Sequence, residues 1–84
     1  MAVHGSLSNS DQVWTDTEVE ARREAVRMSK DSGFARIVWS HCPEWDDLPD
    51  DQKKWVFFVE TGNISGMIRT WESEIACYEK GREA

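Results

Sequence analysis

Residues 33–42 read GFARIVWSHC, and the period assigned to them decides the fold. Phe34, Ile37, Val38 and His41 fall at i, i+3, i+4 and i+7, the spacing of one helical face. The β-branched pair Ile37 and Val38 beside Trp39 also suits a strand. A strand needs a partner, however, and no other stretch of the chain alternates cleanly between polar and apolar residues. The helical period is therefore preferred, and this segment is expected as a short helix.

Toward the N-terminus, residues 16–31 carry the signals of a longer helix. Thr15 or Asp16 suits the N-cap, Glu18 and Glu20 lie in the positive first turn, and Arg27 and Lys30 lie near the negative end. Val19, Ala21, Ala25, Val26 and Met28 recur at helical spacing, and Gly33 suits the left-handed position that ends a helix. Glu18 and Arg22 are one turn apart on an outer face whose charges need no function beyond solvation. Residues 1–12 are polar, small and aperiodic, and are expected as a flexible tail.

Toward the C-terminus, a third helix is expected from Pro49 or Asp50 to Glu60. Proline is tolerated in a first turn, Asp50 and Asp51 complement the helix dipole, and Gln52 suits a reciprocal cap. Trp55, Phe58 and Val59 then share one apolar face, widened by Val56, and Thr61-Gly62-Asn63 turns the chain. A fourth helix is expected over 64–80, capped by Asn63 or Ser65 and stopped by Gly81. Ile64, Met67, Ile68, Trp71, Ile75 and Tyr78 give it a continuous apolar stripe. The resulting expectation is an all-α fold: a small bundle of three to four short helices, with residues 13–84 as a single helical domain.

A chain of 84 residues is one domain's worth, with a small core. Five tryptophans, three phenylalanines and one tyrosine are available to fill it, each able to bury about 150–250 Å². Sixteen acidic against ten basic residues give a net charge of −6. That balance disfavours direct nucleic-acid binding, which needs a basic stripe, and suits a partner that is itself basic. Residues 1–6 lack the basic-then-apolar pattern of a secretory signal. The longest apolar run, Trp55–Val59, is far short of the ~20 residues that span a bilayer. A cytoplasmic protein with Cys42 and Cys77 reduced is the expectation, with no membrane association.

No catalytic motif emerges, and the chain is expected not to be an enzyme. His41 and Cys42 are adjacent, but neighbours on a helix point about 100° apart. His41, Cys42 and Cys77 give at most three metal ligands without the paired spacings of a zinc site. The aspartates after Cys42 lack the alternation and central glycine of a calcium loop. No cofactor is implied, and a metal or thiol-redox role through His41, Cys42 and Cys77 is the least favoured of three functional readings.

Recognition is the leading one. Residues 43–55 read PEWDDLPDDQKKW, placing Glu44, Asp46, Asp47, Asp50 and Asp51 around Trp45. The helix dipole accounts for Asp50 and Asp51 but not for all five carboxylates. Trp45 is either a packing staple against Trp55 or Leu48, or an exposed anchor with an acidic rim. Glu44, Trp45, Asp46, Asp47, Asp50 and Asp51 are therefore the candidate partner-binding residues. The run Trp45-Asp46-Asp47-Leu48-Pro49 followed by Lys54-Trp55 resembles a pattern in small phage and prophage proteins. That resemblance implies a mobile-element origin and a small acidic inhibitor of a host protein, acting in the host cytoplasm. The alternative is a structural oligomer such as a homodimer, with Phe57, Trp71, Ile75 and Tyr78 as its aromatic interface.

Overall fold

The chain runs β1 (Val3–Gly5), β2 (Gln12–Thr15), α1 (Glu18–Ser32), β3 (Phe34–His41), β4 (Trp55–Thr61), β5 (Ser73–Glu79) and β6 (Arg82–Glu83). These elements belong to a computed structural model that describes residues 3–5 (backbone only), 12–61 and 68–84. The strands form one antiparallel-paired sheet in the order β1-β2-β4-β3-β5-β6. Because β2 and β3 both pair antiparallel with β4, they run parallel to each other, and α1 is the crossover between them.

The all-α bundle is thereby corrected to a sheet with one helix, and the single helical domain to a sheet-and-helix unit. The segment 34–41 is β3, one of the two central strands, the reading set aside on sequence. The third expected helix is one 3₁₀ turn, Asp50–Gln52, followed by strand β4, and a further 3₁₀ turn, Trp45–Asp47, precedes it. The described part of the fourth, from Ile68 onward, is a connection and then β5. Gly62, Asn63, Ile64, Ser65, Gly66 and Met67 lie outside the described residues. Val3–Gly5, within the stretch expected as a tail, pairs with β2 in the register Val3 to Thr15.

The physical reason lies in burial on both faces. Cross-strand pairing puts Val13, Ile37, Val59 and Ala76 on one face, where α1 packs Ala21, Ala25 and Met28 against them. Val38 and Val56 belong to the opposite face by register, yet are 2% and 0% exposed. A strand covered on both sides reads as a run of apolar residues instead of an alternation. In such a run, i, i+3 and i+4 matches arise by coincidence. β5 adds a second disguise: its pairing jumps from Ala76 opposite Ile37 to Glu74 opposite Val38, leaving Ile75 as a bulge that breaks the period of two.

The expected helix over 16–31 is present as α1, with its cap moved to Thr17. Thr17 Oγ1 accepts from the Glu20 N–H at 3.3 Å and donates to Glu20 Oε1 at 2.7 Å. Gly33 ends the helix at φ +94°, its N–H donating to the Ser29 carbonyl at 2.8 Å. The charged outer face has one anchoring duty: Arg22 binds Glu18 and Glu83 at 2.8 Å and donates to Tyr78 Oη at 3.0 Å, tying α1 to β5 and β6. Gly81 sits with Lys80 in the tight β5–β6 turn, both at positive φ as a two-residue hairpin of this type needs.

Candidate functional site

β3 and β4 extend past the region covered by α1, and on that face their residues become aromatic: Trp39 pairs with Phe57, then His41 with Trp55. The ladder continues one step further, the Cys42 N–H donating to the Lys54 carbonyl at 3.0 Å. The chain must then turn between two adjacent strands. Glu44 takes the left-handed conformation at φ +64°, and the Trp45–Asp47 turn closes with Asp47 N–H donating to the Glu44 carbonyl at 2.9 Å. This turn lays Trp45 back over the end of β3.

The outcome is a ring stack centred on His41. Its imidazole lies 3.7 Å from Trp45 and 5.1 Å from Trp71, each at an interplanar angle of 10°. Trp55 meets both His41, at 4.6 Å, and Trp45, at 5.9 Å, edge to face, while Trp39 stacks on Trp55 at 5.9 Å. Cations lie over both tryptophans that flank the imidazole: Lys53 Nζ is 5.6 Å from the Trp45 ring and Arg69 Cζ 5.7 Å from that of Trp71. Each such contact is worth about 0.5–1 kcal/mol at an exposed site.

Beside the stack opens a cleft of about 630 Å³. Its polar lining is organised around two carboxylates. Glu60 accepts from Arg36 Nε at 3.1 Å and from Gln12 Nε2 at 2.8 Å, with the Arg36 and Glu60 side chains only 12% and 14% exposed. Glu72 accepts from Ser40 Oγ at 2.6 Å and from the Arg69 N–H at 2.9 Å, pinning the segment that leads into β5 against β3. Burial pushes the Glu72 carboxyl up, but the Ser40 and Arg69 hydrogen bonds with the Arg69 and Arg36 charges prevail and hold it below its ordinary range.

Trp45 is half-buried, packed on His41 and Trp55 and carrying Lys53. Glu44, Asp46, Asp47, Asp50 and Asp51 are all exposed around it. Of these only Asp50 makes an ion pair among the described residues, with Lys53 at 3.5 Å. Of the expected interface residues, Trp71 and Ile75 are 44% and 37% exposed, whereas Phe57 is half-buried against the core and Tyr78 lies within it. Sequence reasoning treated Trp55 as core, but it is 37% exposed in the stack. It also missed Arg36, Glu60 and Glu72, which only the strand pairing brings to one cleft.

Cys42 and Cys77 are free thiols, and burial followed by the Glu74 carboxylate pushes the Cys77 thiol up, away from the reactive thiolate. Among the described residues no three His, Cys, Asp or Glu side chains gather as metal ligands. No described helix is long and apolar enough to cross a membrane. No protein-family model, curated protein or solved structure matches the chain.

Proposed function

We propose that this chain is a non-enzymatic interaction module whose aromatic end docks on a basic surface of another protein. The carrying observation is the juxtaposition of the Trp45–His41–Trp71 stack with Glu44, Asp46, Asp47 and Asp51, exposed carboxylates with no ion pair among the described residues. Unneutralised charge of one sign around partly exposed aromatic rings is what a basic partner would neutralise and desolvate. The carboxylates would steer approach, making association fall with salt. Inhibition of a host protein, the role implied by the phage resemblance of residues 45–55, is one form of this function, and the acidic surface suits a target that itself holds nucleic acid.

Capture from a host lysate tests it, comparing the native chain with the triple variant Glu44→Gln, Asp46→Asn, Asp47→Asn. These side chains are exposed, so their neutralisation leaves the core packing untouched. Loss of a specifically captured protein, with an unchanged melting temperature, is the expected result. Equal capture by both chains, or capture indifferent to salt, would refute the reading.

Self-association is a second reading, favoured by the exposure of Trp71 and Ile75. Sedimentation at low micromolar concentration checks it, and a strict monomer removes it.

A further inference from the structure

We infer that the cleft beside the Trp45–His41–Trp71 stack receives an arginine side chain of the docking partner. The inference rests on the docking reading above and names the group that is recognised. The volume of about 630 Å³ lies within the range of small-ligand sites and exceeds what one long side chain requires. The lining holds four carboxylates, Glu44, Asp46, Glu60 and Glu72, against the two guanidinium groups of Arg36 and Arg69. Arg36 is engaged by Glu60 at 3.1 Å and approached by Glu74 at 3.7 Å. The surplus is negative, so a phosphate or carboxylate ligand would be repelled and a cation drawn in.

The walls narrow the choice of cation. Trp45 and Trp71 line the cleft, and the chain already sets cations of its own over both rings, Lys53 and Arg69 respectively. A guanidinium is planar, less strongly hydrated than an ammonium, and can take the place of Lys53 over the Trp45 indole while its N–H edge addresses carboxylates, the displaced Lys53 keeping Asp50, 3.5 Å from its Nζ. Lysine offers a point charge that must shed more water to enter. Arginine is therefore favoured by about five- to tenfold over lysine, the span of one aromatic-face contact made in a partly desolvated site.

The test is a titration of the ¹⁵N-labelled full chain with three blocked peptides of identical sequence, carrying arginine, lysine or the neutral isostere citrulline. The indole N–H signals of the five tryptophans report the location. Movement of the Trp45 and Trp71 signals is expected with the arginine peptide, at least fivefold weaker binding with lysine, and none with citrulline. The Glu44→Gln, Asp46→Asn variant should bind the arginine peptide several-fold more weakly. Equal binding of arginine and lysine, movement confined to other indoles, or no movement at millimolar peptide would each overturn the arginine assignment. The docking reading is judged separately, by lysate capture with the carboxylate triple variant.

Discussion

His41 and Trp45 lie ring on ring, 3.7 Å apart and 10° from parallel. Trp45 thus packs against its own chain, on His41 and Trp55, and also lines the cleft. The packing partner is the last residue of β3, reached because the turn at Glu44 reverses the chain.

Removing Trp45 should accordingly cost some stability without unfolding the protein. The core under α1 shares no residue with the stack. Trp45→Ala is expected to lose about 1–2 kcal/mol, less than for a fully buried tryptophan. Thermal denaturation followed by far-ultraviolet circular dichroism should show a cooperative transition lowered by about 5–15 °C. A chain unfolded at 25 °C would contradict the separation of stack and core.

Acid should loosen the clasp between Ser40 and Glu72. A carboxyl held below its ordinary pKa in the folded state contributes stability that is present above the unfolded value, about 4.3. That contribution is lost as pH falls from there through the lower folded value. Ser40→Ala removes a cause of the depression. It should lower stability at pH 7 and leave a shallower decline below about pH 4.3 than in the native chain. Denaturant midpoints measured between neutral pH and pH 3 check both limbs.

Glu60 compensates Arg36 in a largely buried setting, and the pair should behave asymmetrically. Glu60→Ala removes the nearer of the two carboxylates beside the guanidinium and the acceptor of the Gln12 amide, for a loss of about 2–4 kcal/mol. Replacing both Arg36 and Glu60 by apolar residues should cost less than Glu60→Ala alone. A double-mutant cycle in urea measures the difference, and strictly additive losses would count against the coupling.

Gly81 and Gly33 both occupy positive φ, but only one is crowded. A Cβ at Gly81 would lie 2.7 Å from Lys30 Cε and 2.8 Å from Lys30 Cγ, whereas at Gly33 it meets nothing within 4 Å. Gly33→Ala should cost about 1 kcal/mol from conformation alone. Gly81→Ala should cost more, and the excess should shrink when Lys30→Ala is added. Equal losses for the two glycine substitutions would contradict the crowding.

The helix was legible because its ends are marked locally, by threonine and glutamate at one and glycine at the other. Even there the cap was displaced by one or two residues, since Thr15, Asp16 and Thr17 all suit the position. The strands carried no such marks. Ile37 and Val38 are both buried on opposite faces of a covered sheet, so neither alternation nor amphipathicity survives in the one-dimensional pattern. The candidate site was legible in part: the acidic segment and Trp45 stand out by composition. Its other wall was not, because Trp71 and Glu72 reach His41 and Ser40 only through the pairing of β5 with β3.

The bulge at Ile75 bears on how this chain behaves in a crowded solution. β6 and the Ala84 N–H that follows it cover β5 only from Cys77 to Glu79, so Ser73–Ala76 form a bare margin of the sheet among the described residues. A regular strand there would offer an evenly spaced row of amides and carbonyls onto which an unfolded neighbour could crystallise. The extra residue puts that row out of step, and Glu74 sets a charge beside the break. In a protein whose strands are as apolar as β3 and β4, an irregularity of a single residue thereby makes this margin a poor template for a further strand.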